Sequence, residues 1–98
     1  MARKAAKPDV KQIQKAAALL KQISDPTRLM VIQMLAEGER NVGQICDEVT
    51  MTQPAVSHHL ALLRHGRLIA PRRDGKNSFY GLTEAGERLA EVVLVVMG

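Results

Sequence analysis

Apolar residues recur along this chain at helical spacing for most of its length. Ile13, Ala16, Ala17, Leu20 and Ile23 predict a first helix, from a cap at Asp9 to about Ile23. Ser24-Asp25-Pro26 closes it and opens a second, with Asp25 as cap and Pro26 at the first helical position, where a missing N–H costs nothing. This second helix runs to about Ala36 and offers Leu29, Ile32 and Leu35 to a core, and Glu37-Gly38-Glu39-Arg40 ends it. Asn41-Val42-Gly43-Gln44 has the form of a capping box ahead of Val42, Ile45 and Val49, a third helix. After the short break Thr50-Met51-Thr52, Val56, Leu60 and Leu63 stand at i, i+4 and i+7 and mark a fourth. Thr52 is placed to cap it, Pro54 falls in its first turn, and Gly66 stops it.

From Leu68 to Leu82 the pattern changes to two strand-like runs around Arg73-Asp74-Gly75-Lys76, where Asp-Gly is a strong hairpin signal. Thr83 then caps a last helix to Met97, with Glu84 and Glu87 near the positive end of its dipole. Its second half, Leu89 and Val92 through Met97, leaves hardly any polar face, more than a protomer of this size can bury, so a partner surface is implied. The fold class expected is mainly α with a small β-hairpin wing: about five helices and two antiparallel strands. Third and fourth helices joined by a tight turn make a helix-turn-helix, and a basic hairpin directly after it is the wing of a winged helix.

The polar face of the fourth helix carries Gln53, Ser57, His58 and Arg64, short or planar side chains concentrated toward the N-terminal half. Such donors and acceptors can reach base edges in a major groove. Alone, that face would be read as ordinary solvated surface; the helix before it and the hairpin after it change the balance. Between Thr52 and Lys76 there are five basic residues, Arg64, Arg67, Arg72, Arg73 and Lys76, against one acid, Asp74, so the reading head is the basic part of a chain of net charge +4. Thr52, Gln53, Ser57, His58, Arg64, Arg72, Arg73 and Lys76 are the expected DNA-binding residues, with the wing residues on phosphates. The bland alternative is a solvated charge cluster.

Composition narrows the classes further. With 98 residues and 46% hydrophobic content, one small core is affordable and two are not, so residues 9–98 are expected to form a single domain behind a short basic tail, residues 1–8, bearing Arg3, Lys4 and Lys7. Phe79 and Tyr80 are the only aromatics apart from histidine, which removes any stacking platform for single strands. One cysteine excludes an intrachain disulfide and fits a reducing cytoplasm, and no apolar run reaches membrane-spanning length, so a cytoplasmic protein with no membrane partner is expected. No glycine-rich phosphate loop or oriented nucleophile and base is present, and no enzyme is expected.

Three motifs in register resemble the ArsR/SmtB bacterial transcriptional repressors: Asp25-Pro26-Thr27-Arg28-Leu29, Gln53-Pro54-Ala55-Val56-Ser57-His58-His59-Leu60, and Arg73-x-Gly75-Lys76 followed by Tyr80-x-Leu82. The resemblance covers roughly Ile13 to Val93. It implies a homodimer that binds a palindromic operator on double-stranded DNA and represses, with the first and last helices of two protomers packed together. Ile13, Leu20, Leu89, Val93 and Val96 are the residues it would place at that interface. Many members sense metals, but the usual sites are not matched here. The start of the third helix has Arg40-Asn41-Val42-Gly43 in place of a Cys-x-Cys pair, and residues 83–98 hold neither histidine nor aspartate.

Cys46, on the apolar side of the third helix, reads as a small buried hydrophobe, His59 as a packing residue, and His65 as a solvated residue at a helix C-terminus. No metal ligand set and no cofactor is expected, and nothing in the residues identifies an inducer. Two alternatives stand beside the dimeric repressor: a metal- or thiol-responsive repressor with a non-standard site, and a winged-helix adaptor that binds proteins. The presence of Gln53, Ser57, His58, Arg73 and Lys76 argues against the adaptor.

Overall fold

The computed structural model describes residues 7–98; most of the expected basic tail, residues 1–6, lies outside the described residues. The elements are α1 (Val10–Gln22), α2 (Pro26–Ala36), β1 (Arg40–Asn41), α3 (Val42–Val49), α4 (Gln53–His65), β2 (Ile69–Asp74), β3 (Asn77–Leu82) and α5 (Glu84–Met97). Five helices and a hairpin were expected, and both are present. The sheet has a third strand, because Arg40 and Asn41 pair antiparallel with Tyr80 and Phe79, giving the order β1-β3-β2.

The helix starts follow their caps. Asp9 and Gln12 form a reciprocal capping box, with Gln12 N donating to Asp9 Oδ1 at 2.7 Å and Asp9 N to Gln12 Oε1 at 3.0 Å. Asn41 and Gln44 repeat the device at 2.8 and 2.9 Å, so Asn41 is at once a strand residue and the cap of α3. Asp25 accepts from Arg28 N at 3.1 Å, and Thr83 Oγ1 accepts from Gly86 N at 3.1 Å.

Thr52 departs from expectation: its side chain makes no capping bond, and only its backbone carbonyl joins the helix, accepting from Val56 N at 3.0 Å. The stop of α4 is also shared differently. Gly66 lies at φ −77°, and Arg67 takes the left-handed turn at φ 60°. A Cβ at Gly66 would meet the Gln22 carboxamide at the end of α1, the far end of a flexible side chain.

α2 is apolar nearly all round, and Val31, Ile32, Met34 and Leu35 are all buried, as suits a central helix against α3, α4, α5 and β3. Ile45 and Val49 from α3, Val56, Leu60 and Leu63 from α4, Leu68 and Ile69 from the hairpin, and Ala90 and Val93 from α5 complete one aliphatic core. Gly86 brings α5 onto the hairpin: a Cβ there would collide with the Leu68 carbonyl, which itself accepts from Thr83 N at 3.0 Å.

α1 is the exception. None of its residues is buried, and Leu19 is its only partly buried hydrophobe packed on the core. Val10, Ile13 and Leu20 stand exposed, as do Val92, Leu94, Val95, Val96 and Met97 of α5. Among the described residues no helix is long and apolar enough to cross a membrane.

Candidate nucleic-acid interface

α4 is held by three buried residues, Val56, Leu60 and Leu63, which fix its rotation about its own axis. Gln53, Ser57, Ala61 and Arg64 follow one another at i, i+4, i+8 and i+11 and therefore share one outward face. All four are exposed. Ser57, Ala61 and Arg64 line a cleft of about 470 Å³ together with Leu60, His65 and Tyr80 of β3. Tyr80 and Ala61 thus join the expected residues. Tyr80 was legible as part of the wing motif, but its place opposite Ser57 and Arg64 is a tertiary relation that no spacing reports.

His58 is exposed but sits about 100° round the helix from Ser57, on the flank of the stripe, with its ring 5.9 Å from that of His59. His59 turns inward as expected. Its side chain is 16% exposed, and Nδ1 lies 3.9 Å from Asp25 Oδ2 without a hydrogen-bond partner. Asp25 is held below the usual carboxylate range, chiefly by the Arg28 backbone N–H it accepts, with the His59 and Arg28 charges adding to the effect.

Side-chain alternation sorts the wing. In the register Ile69↔Leu82, Pro71↔Tyr80, Arg73↔Ser78, residues 69, 71 and 73 share a sheet face with Tyr80 and Leu82, the face toward the core and the α4 cleft. Arg73 belongs to that face, and Lys76 sits exposed in the turn, where Gly75 takes φ 62°.

Arg72 belongs to the other face. Its Nε donates to Glu39 Oε1 and Oε2 at 2.9 and 3.1 Å, its Nη2 lies 2.8 Å from Glu39 Oε1, and its guanidinium stacks on the Phe79 ring at 5.3 Å. The hydrogen-bonded Arg72 guanidinium pulls the Glu39 carboxyl below its ordinary range, and Glu39 raises Arg72 in turn. Arg72 is thus separated from the other basic residues with which the sequence grouped it.

The expected interface residues of α1 and α5 divide as well. Ile13, Leu20 and Val96 are exposed, at 55%, 51% and 79%, and Leu89 is half-buried. Val93 is 6% exposed and packed in its own protomer's core, so its side chain is not part of the open apolar face. Cys46 is half-buried against the core, as its position on α3 suggests. No group of three or more His, Cys, Asp or Glu positioned to hold a metal ion occurs among the described residues.

Known proteins share this arrangement. The profile of the family described as bacterial regulatory protein, arsR family, matches residues 25–70, the span from the cap of α2 to the start of the wing. An uncharacterized HTH-type transcriptional regulator of Methanocaldococcus jannaschii is 36% identical over 89% of this chain and 97% of its own length. The biofilm growth-associated repressor of Xylella fastidiosa is 41% identical over 76% of this chain and 66% of its own. The homodimeric winged helix-turn-helix DNA-binding domain of a possible ArsR-family regulator from Mycobacterium bovis, solved in solution, superposes with a TM-score of 0.80 at 31% identity, covering 96% of this chain and 90% of that one. With its helix-turn-helix on α3 and α4 and its wing on β2 and β3, the chain belongs to the ArsR family of winged helix-turn-helix transcriptional regulators.

Proposed function

We propose that this protein is a homodimeric repressor that binds a palindromic operator on double-stranded DNA, with α4 in the major groove and the wing along the adjacent backbone. The observation that carries the reading is the exposed stripe Gln53, Ser57 and Arg64 beside the Tyr80 cleft, with Arg73 on the same side of the wing. Gln53 and Ser57 supply donors and acceptors for base edges, His58 reads from the flank, and Arg64, Arg73 and Lys76 neutralise phosphates. The free Thr52 hydroxyl at the N-terminus of α4 suits a phosphate oxygen, because the first N–H groups of the helix point the same way.

Dimerisation through the open apolar faces of α1 and α5 would set two α4 helices ~34 Å apart, one turn of duplex. Residues 9–98 act as one DNA-binding and dimerisation domain, working in the cytoplasm and without enzymatic activity.

The test is selection of duplexes from a random pool by the purified protein, followed by binding of variants to the selected duplex and to random duplex of equal length. Gln53→Ala and His58→Ala are each expected to cost ~1–3 kcal/mol on the selected duplex and to leave random duplex nearly unchanged. Equal losses on both would remove these residues from base readout.

A further inference from the structure

Glu39 lies in the loop between α2 and β1, one residue before the strand that pairs with β3. Extending the register Arg40↔Tyr80 by one residue sets Glu39 across from Gly81. Gly81 has no side chain to obstruct it: a Cβ there would stand 3.2 Å from Glu39 Cγ. The Glu39 carboxylate therefore crosses the middle strand and meets Arg72 on β2, while Arg72 is held from the other side by the Phe79 ring. One bidentate pair thus straddles all three strands. Its anchor at Glu39 is two residues from Asn41, the cap of α3.

We infer that Glu39 and Arg72 are positioning residues for DNA binding: their ion pair, seated over Gly81 and Phe79, fixes the pitch of the wing relative to the helix-turn-helix, so that Arg73 and Lys76 meet the backbone while α4 is in the groove. This rests on the proposed DNA-binding reading and deepens it. The geometry removes Arg72 from the phosphate contacts and gives an acidic residue a favourable part in binding a polyanion. The base of the hairpin is held by Ile69, Tyr80 and Leu82 on the core and by the pairing of the two-residue β1, and the side-chain pair extends that attachment to the outer strand.

The expected effects run opposite in sign to those of simple charge. Removing an acid near a polyanion ordinarily tightens binding, and removing an arginine that touches a phosphate lowers the dependence of log K on log salt by ~0.9. Under the positioning role, Glu39→Gln and Arg72→Gln each weaken binding to the selected duplex about three- to fivefold, the scale of a half-exposed pair, and are not additive in the double variant.

The salt slope of Arg72→Gln stays at the wild-type value, whereas that of Lys76→Gln falls. The exchange Glu39→Arg with Arg72→Glu, which keeps net charge and the pair, recovers most of the loss. The measurement is fluorescence anisotropy of the labelled selected duplex over a salt series. Tighter or unchanged binding by Glu39→Gln, a reduced slope for Arg72→Gln, or an exchange variant as weak as the singles overturns the inference while leaving DNA binding intact. A wild-type protein that selects no duplex refutes the DNA-binding reading and this inference with it.

Discussion

Replacing Val96 by glutamate separates assembly from folding in this protein. Val96 is 79% exposed near the end of α5, so in an isolated protomer the carboxylate meets water and the fold should change by no more than ~0.5 kcal/mol. In a twofold interface through α1 and α5 the same substitution occurs twice, on both sides of one apolar contact. A buried polar group without a partner costs roughly 2–7 kcal/mol, so even the low end, counted twice, gives ~4 kcal/mol, or ~10³-fold in the dimer dissociation constant. Val93→Glu is the instructive contrast. Val93 is 6% exposed within the protomer core, and a charge there should melt the fold itself. Sedimentation velocity over a concentration series, with thermal unfolding of the same samples, reads both quantities. Val96→Glu should sediment as a folded monomer, and operator affinity should fall with it, because two linked heads bind far better than one. A folded Val96→Glu protein that remains dimeric at wild-type concentrations would place the interface elsewhere.

Gly86→Ala should destabilise the protomer by ~1–3 kcal/mol in urea unfolding, since the added methyl drives α5 off the Leu68 carbonyl; wild-type stability would mean that the packing of α5 on the hairpin is loose. Neutralising Arg73 or Lys76 should lower the slope of log K against log salt by ~0.9 for each phosphate left without its cation, measured on the selected duplex, and an unchanged slope would remove the wing from the backbone. Asp25 is depressed in the folded state, so its contribution to stability is complete above the ordinary carboxylate pKa of about 4 and is lost as pH falls through that value toward the folded one. Asp25→Asn keeps a neutral cap but loses the charged part of that contribution, so it should lower stability slightly at neutral pH and flatten the acid limb, which a thermal-melt series from pH 6 downward checks. An acid limb identical to wild type would show that Asp25 carries none of it.

What was legible in the sequence was local. Asp9 with Gln12, Asp25 with Pro26, Asn41 with Gln44 and Thr83 announce the helix starts because each cap is complete within four residues. Asp74-Gly75 announces the hairpin because the left-handed turn at Gly75 needs no distant partner. Thr52 shows the limit of such cues: a capping residue type at a helix start need not cap, and here its side chain stays free. β1 escaped because two residues carry no period, and Arg40 and Asn41 become a strand only through Tyr80 and Phe79, about forty positions later. The division of α5 was hidden for a related reason. Val92 and Val93 look alike in an unbroken apolar run, and only the side of the helix that meets α2 separates the core residue from the exposed one.

The basic residues of the wing show what a charge count leaves unresolved. Arg72 and Arg73 are neighbours of the same type in one basic run, and composition assigns them one role. A strand puts consecutive side chains on opposite faces, so the two cannot both face the duplex in the same way once the hairpin is recognised. Which of them turns away is set by the register, with Ile69 facing the core opposite Leu82, and Glu39, 33 residues upstream, meets the one on the far face across Gly81. The face with Tyr80 and the α4 cleft keeps Arg73, and the face with Phe79 takes Arg72 into an ion pair with Glu39 through its Nε and Nη2. A guanidinium so engaged would have to surrender a bidentate carboxylate and an aromatic face to reach a phosphate, exchanging one anion for another at little net gain. Its neighbour has no such attachment within hydrogen-bonding distance among the described residues, and binding a phosphate costs it only water. On the proposed reading, Arg73 and Lys76 are the wing residues expected to meet the DNA backbone and Arg72 is expected to stay with Glu39, which the salt slopes of the three single variants check.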